Sequence, residues 1–297
     1  MEITIALGGG GSRGAAHIGV LRALVSSGFH ISGVAGTSIG SIIGVMYAFG
    51  FTPDKIEEIF SAVDQSKLYG WPLSEGPGFL GVGRIRDFLN LHLKDVTFND
   101  LKIPCAAIAV DLKSHREIIL RHGNVIDAIL GSIAVPGLFP PKELDGFRLI
   151  DGGTLDPIPV RAARLLSPGL PVVAVSLLPQ VDKPASPLGI FSLPTAHPIA
   201  KHIARLNITQ TFQIFSDSIE IASRQIADLR LAVDKPELII RPELDGISLL
   251  DKINVQEIAD RGKVAANLVI PDFIKSQTPK ERILKLLRRT FINIFEP

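Results

Sequence analysis

Chemistry first becomes legible where a serine stands between two glycines. Gly36-Thr37-Ser38-Ile39-Gly40 follows an apolar run at 31–35 and opens another at 39–49. A nucleophilic serine needs a sharp strand-to-helix turn that lifts Oγ clear of the backbone, and side chains two residues either side would clash in that turn. The helix that follows offers the positive end of its dipole to developing negative charge. A second glycine run, Gly8 to Gly11 with Ser12, Arg13 and Gly14, lies between the first strand and the first helix. Consecutive glycines let backbone N–H groups converge on one small anion, so Gly9, Gly10 and Gly11 are the candidate oxyanion donors. Arg13 is the first charge after this run, and it could hold the loop or meet a substrate phosphate. Gly9, Gly11 and Gly14 also fit G-x-G-x-x-G, a dinucleotide signature that wants an acid about 20 residues on. No Asp or Glu stands between Glu2 and Asp54, so that reading is set aside.

A serine nucleophile needs a base. The histidines are His17, His30, His92, His115, His122, His197 and His202. None sits in a late strand-end loop, and His17 falls on the first helix. A carboxylate raised by desolvation can take the proton instead. Asp111 and Asp151 are the candidates, since each closes an apolar strand. Gly152-Gly153 allows a tight turn after Asp151 and favours it, with Asp111 as the alternative. Asp54, Asp127, Asp145 and Asp156 read as turn, cap or surface groups.

The elements that would position these residues follow from periodicity. Strands are expected at 3–7, 31–35, 104–110, 147–150, 171–178 and 237–240. Helices are expected at 13–27, 39–49, 125–133 and 208–233, with a last one at 279–295. The long helix carries Ile219, Ala222, Ile226, Leu229 and Val233 at steps of four and three, a spacing that suits a core-facing helix and leaves dimerisation open. Strand and helix alternating predicts a parallel sheet covered by helices. The charge-free stretch 31–53 is long enough to span a bilayer, but its glycines and the GTSIGS break make it a buried strand, turn and helix. The chain reads as one unit over 1–297, with a motif-bearing core at 1–180 and a helical C-terminal part at 197–297.

The bulk properties bound the partners. The 297 residues carry 31 basic against 30 acidic side chains, which gives no case for nucleic acid. Mean hydropathy is +0.32, high enough to imply a thick buried sheet, a lipid-facing surface, or both. The single cysteine, Cys105, allows neither an intrachain disulfide nor a cysteine-based zinc site. With no secretory signal read at the N-terminus, the expected location is cytoplasmic, with peripheral contact to the inner face of the membrane allowed.

Taken in order, the motifs resemble the patatin-like phospholipase family, in particular its small bacterial members. The residues that carry the resemblance are Gly9-Gly10-Gly11-Ser12-Arg13-Gly14, Gly36-Thr37-Ser38-Ile39-Gly40 and Asp151-Gly152-Gly153. The run 15–21 and SIAVPGLFPP at 132–141 are similar too, and the likeness covers roughly 3–178. The resemblance implies a three-layer α/β/α patatin-like fold with a mainly parallel central sheet. It implies a Ser–Asp dyad without histidine, with Ser38 as nucleophile, Asp151 as base and Gly9, Gly10 and Gly11 as oxyanion loop. No metal or cofactor is implied, and the substrate is an ester-linked acyl chain of a phospholipid or related lipid. Asp156-Pro157 departs from the family, where an asparagine often precedes the proline.

Two surfaces bear on the substrate. The 279–295 helix is basic on one face and apolar on the other, and docking on the core is favoured over a membrane surface. Tyr69, Trp71 and Phe79, with Phe191 and Leu193, are candidates for a lip over an acyl pocket. The competing functions are a non-lipid carboxylesterase or thioesterase with the same dyad, and a non-catalytic regulatory protein on this fold.

Overall fold

The charge-free stretch resolves into a strand, a turn and a buried helix. In the computed structural model, which describes residues 1–65, 80–178 and 208–277, strand β2 (His30–Thr37) runs into helix α2 (Ile39–Phe49) through Ser38 alone. Among the described residues no helix is long and apolar enough to cross a membrane. The aromatic lip candidates and the 279–295 helix lie outside the described residues.

The other elements are strands β1 (Glu2–Leu7), β3 (Cys105–Asp111), β4 (Arg116–Leu120), β5 (Lys142–Leu144), β6 (Phe147–Asp151), β7 (Val172–Val175) and β8 (Leu238–Ile240). The helices are α1 (Ala16–Ser26), α3 (Pro53–Ser61), α4 (Gly83–Leu93), α5 (Val125–Ser132), α6 (Val160–Leu166), α7 (Ile208–Asp234) and α8 (Val255–Ser276). The sheet runs β5-β6-β3-β2-β1-β7-β8, with β4 also on β3. Pairing is parallel from β3 across β2, β1 and β7 to β8, and antiparallel where β4 and β6 meet β3 and where β5 meets β6.

Alternation along the strands builds two unequal cores. Ile5, Leu7, Val34, Cys105, Val173 and Val175 face the larger, shared with α1, α2, α3, α4, α5 and α8. Each large side chain buried there contributes about 1.5–3 kcal/mol. Ala6, Ala35, Ala106 and Ala174 face the smaller, shared with α6 and α7. Small side chains on that face let α6 lie close to the sheet.

Helix α8 was not expected, because three of the seven residues on its buried face, Val255, Ile258, Ala259, Gly262, Ala266, Ile270 and Phe273, are small, and Pro271 lies inside it. It packs on α1 at near backbone contact: a Cβ on Gly19 would strike the Ala259 carbonyl, and one on Gly262 would strike that of Ala16. Helix α7 forms where expected but is turned over. Ala227 and Leu231 are buried, whereas Leu229 and Val233 of the anticipated stripe are 66% and 74% exposed. Its inner face adds charged groups to Ala227 and Leu231, and ion pairs hold the orientation: Glu220 with Arg13, Arg230 with Glu117, and Asp228 with Arg241.

One feature of the registers brings distant residues together. Residues 107 and 108 of β3 pair with both β2 and β4, so those two strands lie on opposite edges of β3. Residues 109–111 pair with both β4 and β6, so β6 lies on the β2 edge. Strand β2 is parallel to β3 and ends at Thr37 beside Ile108, while β6 is antiparallel and ends at Asp151 beside Ala109. The two strands therefore meet end to end, with their C-termini facing each other.

Candidate active site

Ser38 sits at that junction. Its φ of 54° and ψ of −124° put a non-glycine residue in strained backbone, a conformation that costs on the order of 1–3 kcal/mol. The flanking glycines are required by contact. A Cβ on Gly36 would collide with the Gly40 backbone, and one on Gly40 with the Leu7 carbonyl. The turn is held from three sides. The Ser38 N–H donates to Ser132 Oγ at 2.9 Å, and Ser132 donates in turn to the Ile108 carbonyl at 2.6 Å. Thr37 Oγ1 donates to the Asp156 carbonyl at 2.8 Å, and the Ser38 carbonyl accepts from Ser41 Oγ at 2.6 Å.

Asp151 closes β6 and is 6% exposed. Its Oδ1 accepts from the Gly153 N–H at 2.7 Å. Burial pushes its carboxyl up to about 6, opposed by the Ser38 hydroxyl and the Gly153 N–H as donors. Oδ2 is buried and takes no hydrogen bond among the described residues, while the Ser38 hydroxyl acts to lower the carboxyl's pKa.

Asp111, the alternative base, is placed differently. Its carboxylate accepts from the Ser114 N–H (2.9 Å), Ser114 Oγ (2.7 Å) and the Arg148 N–H (2.9 Å). These donors, Arg148 first, hold it below the usual carboxylate range despite desolvation. It closes the β3–β4 hairpin.

The glycine loop packs against the serine turn, with the Gly9 Cα beside Ser38 Cβ and Thr37. The Gly9 N–H donates to the Pro157 carbonyl at 3.0 Å, which removes it from the oxyanion donors expected from sequence. The Gly10 and Gly11 N–H groups make no hydrogen bond among the described residues, nor does that of Ile39 at the start of α2. Arg13 is turned away into the protein, where Nε donates to the Ile247 carbonyl at 2.7 Å and the guanidinium pairs with Glu220 at 3.2 Å. These contacts anchor the loop to the C-terminal part.

Segment 152–157 joins all these pieces, and Asp156 is the residue whose side chain sequence reading misplaced. It is fully buried, and burial pushes it up to about 8, with Arg230 at 3.9 Å opposing and Glu117 and Asp234 reinforcing. Arg230 also donates to the Leu155 carbonyl at 3.2 Å and pairs with Glu117 at 2.6 Å. A groove of about 520 Å³ beside Arg230, lined also by Arg116 and Arg161, is bordered by neither Ser38 nor Asp151. Ser132, which fixes the Ser38 amide, opens the SIAVPGLFPP run noted in the sequence, but nothing there pointed to this role.

Among the described residues no group of His, Cys, Asp and Glu is arranged to hold a metal ion. The surroundings offer a strained serine, a buried carboxylate of raised pKa and free backbone donors, which are the parts needed for covalent acyl transfer.

The chain is similar to several known proteins. The chain is 36% identical over 178 residues to an uncharacterized NTE family protein of Mycobacterium tuberculosis, covering 59% of this chain and 49% of that one. It is 31% identical over 171 residues to lysophospholipase NTE1 of Mycosarcoma maydis, covering 54% of this chain and 9% of that one. The chain thus spans about half the length of the mycobacterial relative and a small part of the fungal one. VipD from Legionella pneumophila shares the fold, with a TM-score of 0.56 at 12% identity over 92% of this chain and 66% of that one. The profile of the patatin-like phospholipase family matches residues 5–164, and the chain belongs to that family.

Proposed function

We propose that this protein is a serine acyl hydrolase that cleaves ester-linked acyl chains of phospholipids or related lipids, with Ser38 as nucleophile and Asp151 as its base. The observation that carries the reading is the end-to-end meeting of β2 and β6, which sets a strained serine against a buried carboxylate pushed up to about 6. The lipid substrate is inferred from the family and from the fungal relative named as a lysophospholipase.

In this mechanism Asp151 takes the Ser38 proton as Oγ attacks the ester carbonyl. The carbonyl oxygen becomes an oxyanion held by the Gly10, Gly11 and Ile39 N–H groups. Collapse expels the alcohol, which leaves with the proton from Asp151, and the acyl chain remains on Ser38. Water then repeats the sequence: Asp151 takes its proton, the fatty acid departs and Ser38 regains its hydrogen. A base near 6 is largely ionised at neutral pH and still basic enough to accept the proton.

A fluorophosphonate probe tests this on wild type, Ser38→Ala and Asp151→Asn, alongside turnover of a short-chain ester and a phospholipid. Labelling and phospholipid turnover by wild type, with both lost in Ser38→Ala, is expected. Turnover of the short ester alone would replace the lipid with a non-lipid ester or thioester. A folded wild type that neither labels nor hydrolyses would overturn the enzyme reading.

A further inference from the structure

His17 is fully buried on α1, beneath the glycine loop, and the mechanism above does not use it. Its Nε2 lies 2.7 Å from the Gly8 carbonyl. A carbonyl only accepts, so Nε2 carries the proton, and burial keeps the ring neutral by lowering its pKa to about 4. Its Nδ1 is then a bare acceptor, buried and without a partner among the described residues. A residue kept for packing alone would be apolar and would strand no nitrogen. What the histidine adds is one donor, delivered to Gly8.

That donor acts on a peptide held at both ends. The Gly8 carbonyl and the Gly9 N–H belong to one planar unit. His17 holds the carbonyl end, and the Pro157 carbonyl, 3.0 Å from the Gly9 N–H, holds the other. The Gly8 N–H is fixed to the Val175 carbonyl at 3.0 Å. Beyond Gly9 the backbone is glycine, and the unbonded Gly10 N–H lies on the peptide next to the clamped one, whereas the Gly11 N–H is held by its own peptide, whose Gly10 carbonyl accepts from the Arg13 N–H at 3.2 Å.

We propose that His17 is a positioning residue for the oxyanion loop: by donating from Nε2 to the Gly8 carbonyl it fixes the Gly8–Gly9 peptide and thereby aims the adjoining Gly10 N–H at the reacting carbonyl. The proposal rests on the Ser38 hydrolase reading. It assigns His17 no proton transfer.

Ester turnover by His17→Leu, His17→Gln and His17→Asn is the test, with wild type and Ser38→Ala in parallel and folding checked by thermal melting. Glutamine places an amide N–H near the position of Nε2, whereas asparagine falls one bond short. His17→Leu and His17→Asn are expected to lower kcat by about 10–100-fold with KM nearly unchanged, because a misaimed donor costs the transition state. His17→Gln is expected to stay within about fivefold of wild type, since it restores that one donor. A folded His17→Leu with wild-type kcat would overturn the proposal while leaving the hydrolase reading intact. Should His17→Leu not fold, equal kcat for the Gln and Asn variants would overturn it as well. An inactive wild type would remove both readings together.

Discussion

Asp111 and Asp151 each end a strand of the same sheet, two residues apart in the β3–β6 register, and they are opposites chemically. Asp111 is wrapped by three donors and held low. Asp151 has one full hydrogen bond, from Gly153, and is pushed up to about 6 by burial. The difference teaches that a carboxylate becomes a base by being denied partners: each donor that stabilises the anion also removes its appetite for a proton. Asp111 supports the fold in its charged form, and Asp151, as the proposed base, trades stability for reactivity.

The sharpest way to break this contrast is to neutralise each acid and measure turnover. Asp151→Asn should lower kcat by about 10³-fold or more, the range seen when a positioned base is lost. Asp111→Asn should leave kcat within about twofold, because that carboxylate is spent on the hairpin. Equal losses in both would end the distinction.

Thermal stability should run the other way. The folded pKa of Asp151, about 6, lies above the unfolded value of about 3.9. The native state therefore binds this proton more tightly, so the contribution is fully present below pH about 4 and is lost as pH rises through about 6. At pH 8 the buried charge is a liability, and Asp151→Asn should stabilise the protein by on the order of 2 kcal/mol, a gain that shrinks toward pH 4. Unfolding in urea at both pH values measures it.

The pH–rate profile sharpens the same point. If Asp151 is the base, kcat/KM should rise tenfold per unit at low pH and level off above about 6. The Asp111→Asn profile should overlay that of wild type. A midpoint near 4 would place the base on a solvent-exposed carboxylate.

The smallest effect is expected for the stability of Asp111→Asn, a drop of a few degrees in melting temperature from weaker acceptance of the Ser114 and Arg148 donors. Since the pKa of Asp111 is depressed, its contribution is present above the unfolded value of about 4 and is lost as pH falls below it. The difference between wild type and variant should therefore close in acid.

The chain's own order of residues determined the local parts. Strand β2, the Ser38 turn and helix α2 were legible because glycine tolerance, apolar runs and their boundaries are properties of adjacent residues. The glycine loop and the Asp151 turn were legible for the same reason, as was the absence of any nearby acid. Only the tertiary structure decided which donors and acceptors those parts would find. Gly9 lost its N–H to Pro157 across about 150 residues of chain, Arg13 turned inward to Glu220, and Asp156 became a buried partner of Arg230. Helix α7 shows the same limit, since its apolar spacing pointed one way and its ion pairs turned it the other. A sequence pattern reports what a residue can do within a turn or two. Burial, desolvation and long-range pairing depend on what the other strands bring alongside, and these set the pKa of Asp151 and the hydrogen-bond partners of the glycine loop.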